Sequence, residues 1–268
     1  MVIDFHTHIF PDKIASRTIN LLVEKGGHPP FSDGTRAGLL QRMEKVGVDV
    51  AVNHPVMTSP SQFESINRFA AELNQSYSGN GPRLISFAGI HPACENLMGK
   101  MRQIKNQGFL GVKIHPDYQG TMINDERYLQ ILQCAAEYDL IVITHAGLDP
   151  ASPNCIHCPP LLVKELIRKV PKAKFVLAHM GGNAMWEEAL DVLCDEDVYF
   201  DAATPSPILD EDLFKRLLSR RGADRILFAS DSPWGDMQRD VDRIRSFSLG
   251  KDAEDKIFFS NAKKLLRI

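Results

Sequence analysis

Seven of the nine histidines share one kind of setting: each closes a short, strongly apolar run. His6 and His8 stand in VIDFHTHIF, His54 in AVNHP, His91 in AGIHP, His115 in GVKIHP, His145 in IVITHAG and His179 in FVLAHMGG. Asp231 closes a similar run, ILFASDSPW, and Lys113 sits inside GVKIHP. A polar group in a stretch that otherwise reads as core needs a partner, because burying an unpaired acid or imidazole is costly. Neutral imidazole and carboxylate are also the donors that divalent transition metals prefer. Residues i and i+2 of a strand share a face, so His6 and His8 are expected to aim two imidazoles at one ion. Asp4 is expected on that same face, one step deeper, either as a buried acid paired with a neighbour or as a carboxylate that orients one of the rings. His6, His8, His145, His179 and Asp231 form the candidate set, in equivalent places at the ends of their strands.

The elements that must position these residues are legible from the same runs. Apolar, β-branched segments over 2–10, 48–56, 84–92, 108–116, 140–147, 174–182, 198–204 and 226–234 read as strands. Segments with helical periodicity lie between them: 35–46, 125–138, 160–170 with prolines at its start, and 213–221 behind the acidic run Asp210 to Asp212. Strands apolar on both faces, alternating with amphipathic helices, form a parallel sheet covered by helices. Eight such units in 268 residues match the size of an α/β fold of the (β/α)8 TIM-barrel type. A doubly wound open sheet is disfavoured, because the first strand ends in His-Thr-His-Ile-Phe-Pro and not in a glycine-rich phosphate turn. In a barrel the active site is built at the C-terminal ends of the strands, where the histidines cluster.

Length and composition fit one domain spanning 1–268, with 44% hydrophobic and 24% charged residues. The net charge of −3 gives nucleic-acid binding no support. No apolar run reaches the roughly 18 residues of a membrane span. Five scattered cysteines and an N-terminus without a signal-peptide pattern read as reduced thiols and a cytoplasmic location. The expected partner is a small molecule; a homodimer is the assembly to test.

The pattern of IDFHTHIF, GVKIHPDYQG, ITHAG, FVLAHMGG, VYFDAA, ILFASDSPWGD and SNAKKLLRI, in that order from end to end, resembles the amidohydrolase superfamily. The branch it is most similar to includes aminocarboxymuconate semialdehyde decarboxylase and related decarboxylases and hydrolases. The resemblance implies that His6, His8, His145 and Asp231 ligate one divalent metal, Zn²⁺ first among the candidates and Mn²⁺ or Fe²⁺ as alternatives. It implies that His179 is catalytic or orients the substrate. Binuclear relatives carry a carboxylated lysine or a glutamate on the fourth strand. Lys113 occupies about that place here, and as an unmodified cation it would hold a substrate carboxylate.

The first mechanism that follows is hydrolysis of a small amide, ester or lactone by metal-activated water, with Asp231 as proton acceptor and donor. The second is non-oxidative decarboxylation of a small unsaturated or aromatic acid, with His179 or water handling a proton at carbon. The third is a barrel that binds metal without catalysis, against which the intact ligand set argues. His115, on the Lys113 face, and His157, on the long 148–160 loop, are expected to contact substrate, and Trp234 to pack over the site. His54 and His91 are expected on the rim. The pair Cys155 and Cys158 lacks the second pair that a structural zinc site needs.

Overall fold

The computed structural model describes residues 1–203 and 210–268. The strands are β1 (Ile3–Thr7), β2 (Val50–Asn53), β3 (Arg83–Ser86), β4 (Ala88–Gly89), β5 (Gly111–Ile114), β6 (Ile141–Thr144), β7 (Lys174–Leu177), β8 (Tyr199–Asp201) and β9 (Ile226–Leu227). All pairings are parallel, in the order β1-β2-β3 and β4-β5-β6-β7-β8-β9. Backbone bonds stitch β1 to the chain beyond β9: Phe5 N to Phe228 O (2.9 Å), Asp231 N to His6 O (2.8 Å) and His8 N to Ser232 O (2.6 Å). The architecture is the α/β barrel expected from the alternation of strand and helix.

One expected strand, 84–92, is two strands because the chain bends at Phe87. Ser86 pairs with Asn53 on β2, and Ala88 with Val112 on β5. A bend leaves backbone groups without ladder partners, and buried ones must find others. Asn74 bonds Ser86 N and O, and Asn67 bonds Gly89 N and O (2.7 to 3.1 Å). Both asparagines lie on the helix Phe63–Gln75, seven residues apart and so on one face.

The helices expected over 35–46, 125–138, 160–170 and 213–221 are Arg36–Val46, Glu126–Tyr138, Pro160–Lys169 and Glu211–Arg221. Thr35, Asp125 and Asp210 cap the first, second and fourth of them with a side-chain oxygen on a backbone N–H of the first turn. Among the described residues, no helix is long and apolar enough to cross a membrane. All five cysteines are free. Residue 204, the end of the strand expected over 198–204, lies outside the described residues.

Ile3, Phe5, Val50, Val52, Ile85, Phe87, Ile141, Ile143, Val176, Tyr199 and Leu227 form one buried cluster inside the barrel. The C-terminal helix Asn261–Leu266 packs Ala262, Leu265 and Leu266 onto it. The larger cluster lies between strands and helices and includes Val112, Ile114, Val142, Phe175, Leu177, Phe200 and Phe228. The barrel floor is therefore apolar, and the polar residues cluster at the opposite, C-terminal ends of the strands.

Candidate metal centre and catalytic site

On β1, Asp4 pairs with Ala51 and Thr7 with Asn53, so three steps of β1 oppose two of β2. The extra residue is a bulge, and it breaks strict alternation. Phe5 joins the barrel interior while His6 and His8 both reach the mouth. Asp4, expected on the face of His6 and His8, is instead turned to the chain beyond β9. Its carboxylate accepts from Ser230 Oγ (2.5 Å), Ser230 N (3.0 Å) and His6 N (3.2 Å). Burial raises its pKa to about 7. It anchors the turn that carries Asp231 and orients no imidazole.

The structure brings His6, His8 and Asp231 together. His6 Nε2 lies 3.0 Å from His8 Nε2, and Asp231 Oδ1 lies 3.5 Å from His6 Nε2 and 3.1 Å from His8 Nε2. The far side of each ring is committed. His6 Nδ1 is 2.8 Å from Asp201 Oδ2, and His8 Nδ1 is 2.7 Å from the His54 carbonyl. A carbonyl only accepts, so His8 Nδ1 carries a proton, and the neutral ring has its lone pair on Nε2. Lys113 Nζ, 3.2 Å from His6 Nε2, donates there, which places that ring's proton on Nδ1 too. Two lone pairs and a carboxylate oxygen thus converge, and such a donor set fits a divalent cation.

His145, expected in the same ligand set, lies in a second group. Its Nδ1 is 3.1 Å from His179 Nε2, while His179 Nδ1 is 3.0 Å from the Ala203 carbonyl. The carbonyl fixes the proton of neutral His179 on Nδ1, so His179 Nε2 accepts from His145 Nδ1. The lone pair of His145 is left on Nε2, which is buried and has no hydrogen-bond partner. An orphaned imidazole nitrogen is what a metal ligand looks like before its metal arrives. That nitrogen lies 4.0 Å from Asp149 Oδ2, and His115 Nε2 lies 3.5 Å from the same oxygen. His115, His145 and Asp149 form a second cluster of potential donors. His6 and His179, with ring centroids 5.5 Å apart, connect the two groups.

Burial and the Lys113 charge push His6 well below the usual imidazole range. Burial does the same for His115 and His145, and takes His179 to about 4. These four rings are neutral at pH 7. Burial works against ionisation of Asp231, and the charge of the Lys113 ammonium works for it. Lys113, 1% exposed, is lowered by burial to about 8, opposed by Asp231, Asp201 and Asp149. Burial raises Asp149 to about 6.

His179 and Asp231 adopt left-handed backbone angles (φ +58° and +59°) that few non-glycine residues tolerate. Such positions persist where the surroundings hold them. Asp201 Oδ1 accepts from His179 N (2.9 Å), and Trp186 Nε1 donates to the His179 carbonyl (3.1 Å). Asp231 N donates to the His6 carbonyl, and its own carbonyl accepts from Trp234 N. Trp234 itself is half-buried beyond Asp231.

His115 is buried and stacks between Tyr118 (4.1 Å between centroids, 6°) and His145 (4.6 Å, 9°). His157 is bonded through Nδ1 to Asp117 Oδ1 (3.0 Å). His54 and His91, expected on the rim, are buried. His54 donates through Nε2 to the Phe5 carbonyl (2.6 Å), and its own carbonyl orients His8. His91 Nδ1 accepts from Ala93 N (3.1 Å), closing a turn. Cys155 is exposed while Cys158 is buried. Asp201, Asp149 and Trp186 touch the candidate site residues and were not among the sequence expectations. For Asp201 the signal was present, since an aspartate ends the apolar run VYFDAA.

Fold and donor set together define an α/β barrel with a candidate metal centre at the C-terminal ends of its strands. The amidohydrolase family model Amidohydro_2 matches residues 3–268, and the chain belongs to this family of metal-dependent enzymes. Similar solved structures include an uncharacterised TIM-barrel protein from Bordetella bronchiseptica (TM-score 0.80, 17% identity, 99% of this chain and 98% of that one). Others are 2,6-dihydroxybenzoate decarboxylase from Rhizobium (TM-score 0.74, 16%, 99% and 98%) and dihydroxybenzoic acid decarboxylase from Polaromonas sp. JS666 (TM-score 0.73, 16%, 99% and 96%). The latter was solved with manganese and the inhibitor 2-nitroresorcinol. No curated protein matches the chain in sequence.

Proposed function

We propose that this protein is a metal-dependent, non-oxidative decarboxylase of a small unsaturated or aromatic carboxylic acid. The observation that carries the reading is Lys113, a buried ammonium 3.2 Å from His6 Nε2 beside the candidate metal ligands. A buried cation at that place suits a substrate that brings its own carboxylate. The flat stack of Tyr118, His115 and His145 suits a planar substrate. The likeness to two dihydroxybenzoate decarboxylases agrees with this and moves the reading away from hydrolysis, the first expectation.

His6, His8 and Asp231 would hold the metal, with His145 Nε2 as the fourth donor the resemblance implies. Zn²⁺, Mn²⁺ and Fe²⁺ all suit imidazole and carboxylate. When bound, the ion supplies a Lewis-acid centre that holds and polarises substrate oxygen atoms. Lys113 holds the substrate carboxylate by charge, with His115 beside it. His157 and Trp234 are placed by the reading as further substrate contacts. The carbon–carboxylate bond breaks, its electron pair stays on the substrate carbon, and one proton replaces the departing CO₂. That proton comes from solvent: His179, neutral and tied at Nδ1 to Ala203, takes it up on the lone pair of Nε2 and passes it to the substrate carbon, and Asp231 is the neighbouring carboxylate that can take and return it.

The test is a panel of hydroxylated benzoates and unsaturated acids assayed for CO₂, beside a panel of esters, lactones and amides. CO₂ release that disappears with chelator supports the proposal. Hydrolysis without CO₂ release overturns it in favour of the hydrolase reading. Inactivity on both panels by metal-loaded protein supports a barrel that only binds.

A further inference from the structure

Asp201, the last residue of β8, touches both halves of the site and is assigned no role by the reading above. It is fully buried. Its Oδ2 lies 2.8 Å from His6 Nδ1. Its Oδ1 accepts from the backbone N–H of His179 (2.9 Å) and of Ala203 (3.2 Å). One carboxylate therefore serves a proposed metal ligand on β1 and the backbone of the proposed proton relay beyond β7.

We infer that Asp201 is a positioning residue that fixes the His6 tautomer and locks it to the placement of His179. The inference rests on the reading of His6 as a metal ligand. A neutral imidazole has one proton and one lone pair, and only the lone pair binds a metal. The Lys113 ammonium donates to Nε2 and Asp201 Oδ2 sits at Nδ1, so the single proton of neutral His6 lies on Nδ1 and the lone pair faces His8 Nε2, Asp231 Oδ1 and Lys113 Nζ. Carboxylate partners of ligating histidines commonly set tautomer and ring orientation in this way. The second oxygen gives Asp201 a reach beyond His6. It holds the N–H of a residue in the left-handed region, and Ala203, whose N–H it also binds, offers the carbonyl that fixes the tautomer of His179. The ring of His6 and the ring of His179 are thus oriented from one side chain.

The proposal makes Asp201→Asn a sharp test, because an amide accepts on one end only. The backbone donors of His179 and Ala203 cannot change, so they keep the amide oxygen. The NH₂ group must then face His6 Nδ1. His6 answers by accepting there and carrying its proton on Nε2, where it blocks the metal.

Three measurements on the full chain read this out. First, ¹⁵N NMR of the metal-free wild type should show the His6 ring protonated on Nδ1; protonation on Nε2 overturns the inference without any variant. Second, the same spectrum of Asp201→Asn should show the proton moved to Nε2. Third, Mn²⁺ titration should show the variant binding about 10- to 100-fold more weakly than wild type, the usual cost of losing such a partner. A variant that loses thermal stability but keeps wild-type Mn²⁺ affinity and the wild-type tautomer would make Asp201 a structural residue and overturn the inference. Wild-type protein that binds no Mn²⁺, with His6 still protonated on Nδ1, would instead reject the metal reading and leave the tautomer assignment standing.

Discussion

His145 Nδ1 lies 3.1 Å from His179 Nε2, and the far side of His179 is pinned by the Ala203 carbonyl at 3.0 Å. The pair is directional: the proton of His145 points at His179, and the free nitrogen of His145 is buried without a partner. His145 therefore keeps a free lone pair on Nε2, as the proposed fourth metal donor must, while His179 keeps an acceptor nitrogen beside it. Replacing His179 with asparagine should leave metal content unchanged and lower kcat by about 10²- to 10⁴-fold, the usual range for a lost proton-transfer group. Elemental analysis beside CO₂ release checks this. Loss of metal together with activity would make His179 a ligand.

Lys113 should govern substrate affinity. Its ammonium is desolvated, and a hydrogen bond to a charged group contributes about 1.5 to 3 kcal/mol. Lys113→Met should lower kcat/KM for a carboxylic acid by about 10- to 150-fold, chiefly through KM. Steady-state kinetics on the best acid of the panel provides the check. An unchanged KM would remove Lys113 from the binding site.

Gly147 follows the candidate ligand His145 and has φ +81°. A Cβ there would collide with the backbone of Asn183, whose N–H bonds the Ala146 carbonyl. Gly147→Ala should cost at least ~1 kcal/mol, since both backbone angle and space forbid the methyl group. Denaturant unfolding measures it. Wild-type stability would mean that the 147–148 turn relaxes freely.

Asp240 gives the fold a pH dependence of its own. Its carboxyl is largely buried, Oδ2 has no partner, and burial raises its pKa from 3.8 to about 7 despite Arg239. The folded state then holds a proton that the unfolded state has released. Stability from this group is complete below about pH 3.8 and is lost as pH rises to about 7, at most about 4 kcal/mol. Asp240→Asn should therefore gain stability relative to wild type between pH 5 and pH 8. Thermal melts at the two values check the sign; an equal offset at both would show that Asp240 does not titrate there.

Much of this was legible in the residues, and the reasons for the remainder are physical. The eight apolar runs and the capped helices are local signals, and the barrel follows from their alternation. His6, His8 and Asp231 were legible because each interrupts or closes such a run. What sequence spacing hides is pairing. The bulge between Asp4 and Thr7 depends on how β1 lies against β2, so simple alternation put Asp4 on the wrong face. The bend at Phe87 depends on Asn67 and Asn74, which read as ordinary helix residues. Asp201 and His6 are 195 residues apart, and only the order of the parallel strands, with β1 bonded to the chain beyond β9, brings them together. His54 reads as a rim residue because proline follows it, yet its carbonyl is what orients His8.

The central claim is that His6, His8 and Asp231 hold a divalent metal that the chemistry requires. Elemental analysis of protein from metal-supplemented growth tests it most directly, with His8→Ala and Asp231→Asn purified alongside. The account predicts about one equivalent of Zn²⁺, Mn²⁺ or Fe²⁺ in wild type and little in either variant, all three remaining folded. Less than about half an equivalent in wild type, or equal metal in all three proteins, would contradict it.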